Sequence, residues 1–242
     1  MAGPRDHDAP AHPRREVDVF APRPPEGLGA IVAALRVARD ETNIRHTGRI
    51  HEIPTRASIA RMLEGARTVL FPSHFGGTEL DEETLDFFVG STLHGVLARL
   101  HEDARRSLSF ASDPKSVGEP EIARRAQRFV DDVAGSLPTL RRLAVGDLEA
   151  VRSVDATGAG LSELLVCDPG VRALLAHRFA HVLHAAGIPL LARLASEVAR
   201  EETGIAISPT ARLGPRIAIL GPVSIGPGVV IAEGTVLGPG AR

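Results

Sequence analysis

The chain carries ten histidines and a single cysteine, and the histidines are unevenly placed: every one lies at or before His184. Three of them, His177, His181 and His184, follow one another at spacings of four and three, which on a helix is one face and is a spacing that can hold a metal. No cluster of carboxylates accompanies the trio, so the reading preferred for it is packing and solvation, with no metal site. His94 and His101, seven apart, share a helical face and are read the same way. Cys167 stands beside Asp168, just ahead of an expected helix start where a thiolate would be favoured. No histidine is placed next to it by sequence, and it is read as structural. Residues 205–242 hold one acid, Glu233, three arginines, and neither histidine nor lysine. That stretch offers no group with a near-neutral pKa.

The elements that must position these residues are mostly helices. From Glu26 to about Gly204 apolar residues recur at three-to-four spacing between helix start and stop signals. A first helix is expected from about Glu26 to Arg39. A second has Pro54 in its first turn, carries Ile59, Leu63 and Leu70, and stops before Phe71-Pro72. The third opens on Asp81, Glu82 and Glu83 and shows an apolar face at Leu85, Phe88, Val96, Leu100 and Ala104. A fourth follows Pro120, and short helical pieces are expected around Leu140 to Val154. Asp168 caps a rod that Gly187 ends, and Pro189 starts a last helix that closes at Gly204.

After Gly204 the period changes. An aliphatic residue returns every six positions, at Ile207, Leu213, Ile219, Ile225, Ile231 and Leu237. Four places after each stands a small or branched residue: Ala211, Ile217, Val223, Val229, Thr235 and Ala241. A hexad makes a short parallel strand and a turn, and three hexads close one coil with the leading aliphatic pointing inward. A disordered Gly/Pro-rich tail would not keep this period. The absence of histidine in the repeat also excludes the hexapeptide carbonic anhydrase type of site, which needs three histidines for its metal. Two coils bury too little to fold unaided, so they are expected to lean on the helices.

Composition narrows the partners. Lys plus Arg number 28 against 30 acids, a net charge of -2, and the chain has eight Phe but no Tyr or Trp. Neither nucleic acid nor an anionic membrane surface is expected as a partner. No apolar run reaches the length of a membrane span, and residues 1–25, with Asp6, Asp8 and several prolines, read as a disordered tail rather than a signal peptide. A cytoplasmic location is the expectation, and one cysteine can form no internal disulfide.

The stretch from Val166 to Ala211, VCDPGVRALLAHRFAHVLHAAGIPLLARLASEVAREETGIAISPTA, resembles the linker of the bacterial serine O-acetyltransferases. There a Pro-Gly helix with an Arg-x-x-His pair, here Arg178 and His181, leads to Thr-Gly-Ile and the first coil. LFPSHFG, Leu70 to Gly76, resembles the longer branch of that family, and the likeness covers residues 55 to 242. It implies an α+β chain: a disordered tail (1–25), a helical domain (26–204), and a β-helix of hexapeptide repeats (205–242), about two coils long and left-handed, the handedness resting on the resemblance alone. It also implies acetyl transfer from acetyl-coenzyme A, as cosubstrate rather than tightly bound cofactor, to L-serine in cysteine biosynthesis. Fifteen residues before Gly170, where the family has an Asp-Pro-Ala motif whose aspartate binds serine, this chain has Asp155 and Ala156. Asp155 is the one substrate-binding residue the resemblance assigns. The competing reading is an ordinary cap.

The departures from the family bear on catalysis. Its first coil reads Asp-Ile-His-Pro-Gly-Ala, where this chain has Ala206-Ile207-Ser208-Pro209-Thr210-Ala211, and the Asp-His pair expected a coil later is absent around Leu220-Gly221-Pro222. The second catalytic histidine, the acetyl-coenzyme A groove of later coils and the closing loop would all follow Arg242. Losing a general base alone costs roughly 10²- to 10⁴-fold in rate. No catalytic residue is therefore identified and the coenzyme site is left open. The expectation is a serine O-acetyltransferase family protein impaired or inactive alone. The alternatives are a non-catalytic paralogue acting as an oligomerisation or regulatory subunit, and a truncated reading frame. The resemblance implies a trimer or dimer of trimers, with a full-length serine acetyltransferase as a further partner. The C-terminal isoleucine that grips O-acetylserine sulfhydrylase is absent from this sequence, and that partner is not expected.

Overall fold

The computed structural model describes residues 27–42, 53–77, 81–112 and 117–241. By its internal contacts the chain forms two units, 1–47 and 48–242. Helix α1 (Leu28–Thr42) belongs to the first and buries none of its side chains. The expected tail, 1–25, lies outside the described residues.

The second unit holds the remaining helices and all the strands. Helix α2 (Arg56–Leu70) is capped by Thr55, whose hydroxyl accepts from the Ser58 N–H, so Pro54 precedes the cap instead of sitting in the first turn. Its buried residues, Ile59, Met62, Ala66 and Leu70, keep the three-to-four spacing of one face. After the short α3 (Pro72–Phe75) comes α4 (Glu82–Ala111), opened by a reciprocal cap in which Asp81 accepts from Thr84 N–H and Thr84 accepts from Asp81 N–H. Helix α5 (Glu119–Val154) runs 36 residues without a break, with Pro138 inside it. The sequence reading of short pieces after Leu140 is corrected here. Val133, Leu137, Leu140, Ala144 and Leu148 are buried on both sides of the proline, and this burial outweighs the roughly 3 kcal/mol that an interior proline costs.

A seven-residue helix that the sequence reading did not foresee, α6 (Leu161–Cys167), leads into α7 (Pro169–Ala185). Asp168 caps α7, accepting from Val171 N–H at 2.8 Å. Helix α8 (Pro189–Thr203) packs along α7 and ends at Gly204, whose φ of 72° is the left-handed conformation a glycine takes at such a stop. One core runs through α2, α4, α5, α7 and α8.

Six two-residue strands follow: β1 (Ala206–Ile207), β2 (Arg212–Leu213), β3 (Ala218–Ile219), β4 (Ser224–Ile225), β5 (Val230–Ile231) and β6 (Val236–Leu237). Each of the six periodic aliphatics is the second residue of its strand. They pair in parallel as β1 with β4, β2 with β5 and β3 with β6, each partner three hexads along. Ile207, Ala211, Ile217, Ile219, Val223 and Ile225 form a second core, to which α7 contributes Ala173 and Leu174. The helix thus closes one end of the hexad stack. Away from it burial falls off, and Val230 is 70% exposed.

Gly170 fixes how closely α7 approaches the strands. A Cβ there would lie 2.0 Å from the Ile219 carbonyl oxygen, a backbone atom that cannot step aside. Gly170→Ala is therefore expected to cost about 2–3 kcal/mol by forcing α7 off β3. Urea denaturation read by far-ultraviolet circular dichroism checks it; an unchanged midpoint would refute the constraint.

Candidate functional site

The helices meet the hexads around Arg178. Its guanidinium donates to Asp147 in a two-pronged pair, Nε to Oδ2 and Nη2 to Oδ1, both at 3.0 Å, and to the carbonyls of Leu213 and Gly214 at 2.5 Å each. Asp147 Oδ1 also accepts from Ile217 N–H at 2.9 Å. The residues are 1% and 6% exposed, Asp147 and Arg178 respectively, so this is a buried, fully hydrogen-bonded ion pair joining α5, α7 and the β2–β3 connection. Burial pushes the Asp147 carboxyl above its ordinary range, with Arg178 and the Ile217 N–H pulling against it. The family resemblance pointed to Arg178 but gave no sign of Asp147, which sits in a stretch read from the sequence as broken helix.

Of the three helix α7 histidines, His177 and His181 line one groove with ring centroids 6.0 Å apart, and His184 lies in another. His177 is 3% exposed and its Nδ1 has no hydrogen-bond partner. Burial, followed by the neighbouring charges of Arg178 and His181, pulls its pKa down to about 3, so the ring is neutral at physiological pH. His181 Nδ1 lies 2.9 Å from the Pro209 carbonyl oxygen, a contact in which the ring donates and which ties α7 to the first hexad. His184 faces α8, in a groove of about 410 Å³ that also takes in Arg193, Glu197, Ser208 and Thr210. Around that groove Glu197 is engaged by Arg200, and the Ser208 and Thr210 hydroxyls bond each other at 3.0 Å. Among the described residues no three His, Cys, Asp or Glu side chains are grouped to hold a metal. His94 is exposed and His101 half-buried on α4. Cys167 is an exposed free thiol at the end of α6, outside the packed core where a structural cysteine would sit.

Asp155 follows the last residue of α5 and organises its own loop. Its carboxylate accepts from the Thr157 hydroxyl at 2.7 Å, from Ala159 N–H at 3.0 Å and from Thr157 N–H at 3.3 Å. The Thr157 hydroxyl first, then the Ala159 N–H, hold its pKa below the ordinary carboxylate value. These bonds form a capped turn, and they leave the carboxylate at the surface. The helix–hexad junction thus has two grooves with hydroxyls on their linings, Ser208 and Thr210 in one and Ser136 and Thr139 in the other, and an exposed Glu149–Arg216 ion pair at 3.2 Å. Residues 205–242 place no histidine beside them.

The architecture defines a class: a helical domain whose last helices cap a parallel stack of hexapeptide repeats. No family profile matches the chain. The plasmid-borne serine acetyltransferase of Synechococcus elongatus is 38% identical over 195 residues, covering 78% of this chain and 60% of that protein. Serine acetyltransferase of Mycobacterium tuberculosis is 43% identical over 72 residues, 30% of this chain. The fold is that of native serine acetyltransferase 1 from Entamoeba histolytica, with a TM-score of 0.63 at 22% identity over 86% of this chain and 73% of that one. The chain is thus similar in sequence, and alike in fold, to serine acetyltransferases. It spans 60% of the length of the Synechococcus relative and 31% of the mycobacterial one.

Proposed function

We propose that the chain is a serine acetyltransferase-type protein, of the kind that moves acetyl from acetyl-coenzyme A to the hydroxyl of L-serine, and that its 242 residues alone do not turn over. The sequence relationship to the Synechococcus enzyme carries the first half of this reading. The second half rests on the inventory of proton acceptors. Taking a proton from the serine hydroxyl needs a base within hydrogen-bond reach and a pKa near the working pH. The hexads carry Ser208 where the family's first coil has its histidine, and no histidine a coil later. His177 is buried and His181 is spent on Pro209.

In this reading the stack is a left-handed β-helix, two coils in this chain, that associates threefold as a trimer or dimer of trimers in the cytoplasm, by itself or with a full-length serine acetyltransferase. Asp155 is its serine-binding carboxylate, supported by a low pKa that keeps it ionised and by its surface position. The described helices include none long and apolar enough to cross a membrane. A thiol-detection time course with acetyl-coenzyme A and L-serine is expected to show no serine-dependent release of coenzyme A above background. Robust turnover that vanishes in Asp155→Ala would overturn the inactive reading while supporting Asp155 as the serine site.

A further inference from the structure

A second groove, separate from the His184 face, opens where α5, α7 and β2 meet, with a volume of about 350 Å³. That is within the range of small-molecule sites. Leu140, Leu143, Val182 and Leu213 give it an aliphatic wall. Two polar groups on its lining are unsatisfied in different ways. His177 is almost fully buried there, yet its Nδ1 has no partner, and buried polar atoms without partners are rare enough in folded proteins to call for one. Arg212 is exposed at the rim, and among the described residues its guanidinium has neither an ion pair nor a hydrogen bond. Arg178, the other cation of the lining, is neutralised by Asp147 and saturated by two carbonyls.

No acidic side chain lines the groove. Its free charge is therefore positive, and the charge sits at one end of an apolar wall.

We propose that this groove binds a small aliphatic carboxylic acid bearing a hydroxyl near the carboxylate, with the carboxylate on Arg212, the chain along Leu140, Leu143, Val182 and Leu213, and the hydroxyl bonded to His177. A hydroxyl suits the neutral imidazole, since it can donate to a bare nitrogen or accept from a protonated one. A fatty acid without the hydroxyl would fill the wall and leave His177 unsatisfied. A long acyl chain would exceed the volume. The inference is independent of acetyl transfer, since none of these residues was assigned to that reaction.

The probes are 2-hydroxyhexanoate, hexanoate and hexan-1-ol, titrated into the full chain with binding followed by ligand-observed NMR and by the imidazole ¹⁵N resonances of the labelled protein. 2-Hydroxyhexanoate is expected to bind in the millimolar range and to shift the His177 resonances. Hexanoate is expected to bind more weakly, and hexan-1-ol weakest. Arg212→Gln, at an exposed position, should weaken both carboxylates by roughly fivefold to tenfold and leave hexan-1-ol unchanged. Absence of binding by 2-hydroxyhexanoate at tens of millimolar, or binding that Arg212→Gln leaves unchanged, would overturn the proposal. A His177 resonance that stays still while the ligand binds would equally refute the role given to that ring.

Discussion

Asp147→Asn is expected to lower the free energy of unfolding by about 3–5 kcal/mol, because it leaves the Arg178 guanidinium buried without its counter-charge. The asparagine has the same shape but only one accepting oxygen, and three donors compete for it: Arg178 Nε, Arg178 Nη2 and the Ile217 N–H. Its amide group must also turn toward one of those donors. The loss should propagate, since the same guanidinium holds the Leu213 and Gly214 carbonyls and so sets the distance between α7 and the strands. A paired replacement, Asp147→Leu with Arg178→Met, removes both charges and their desolvation together. It should recover much of the loss, as buried pairs exchanged for apolar residues often do. With no Trp or Tyr in the chain, urea unfolding is best followed by far-ultraviolet circular dichroism. A single variant that loses less than about 1 kcal/mol would show the pair to be solvated in practice, and the anchoring role would fall.

That pair also marks the limit of what the sequence revealed. The hexads were legible because a period of six is a purely local signal, and each aliphatic it picked out became the inward residue of a strand. Asp168 and Gly204 were legible for the same reason: a cap and a left-handed stop are properties of one residue and its next neighbours. Helix α5 was not, since Pro138 is a local stop signal overruled by tertiary packing on both sides of it. Asp147 was hidden inside that misread stretch, and its partners lie 31 and 70 residues along the chain. The histidine spacing suggested one shared face, but α7 is buried over much of its circumference. His177 and His181 share one groove wall, with His181 also bonded to Pro209, while His184 lies in the other groove. For Asp155 the sequence offered two readings, a serine-binding carboxylate and a cap. The capped turn is visible in the structure, with both carboxylate oxygens accepting bonds from the residues that follow.

His177 gives the second large effect, a loss of stability in mild acid. In the unfolded chain the ring takes a proton near pH 6.5, whereas in the folded protein burial delays this to about 3. Below pH 6.5 the unfolded state therefore binds a proton that the native state refuses, and stability falls with pH until the native ring is itself protonated. Above pH 6.5 both states are neutral at this position and it contributes no slope. The linkage is about 1.4 kcal/mol per pH unit, so by pH 4.5 the cost is roughly 3 kcal/mol. Two buried carboxyls work in the opposite direction. Asp103, held above its ordinary value by burial against a Ser58 hydrogen bond, and Asp147 both take up protons more readily when folded, which adds stability as the pH drops. The net acid profile of the wild type mixes these effects, and a difference isolates the histidine. His177→Phe keeps a flat ring in the groove wall and removes the titration. Stabilities of both proteins at pH 7.5 and 4.5 should show the wild type losing about 3 kcal/mol more than the variant across that interval. Equal losses would mean that the folded imidazole reaches solvent and titrates near its ordinary pKa, and the buried, neutral state of His177 on which its role in the groove depends would be wrong.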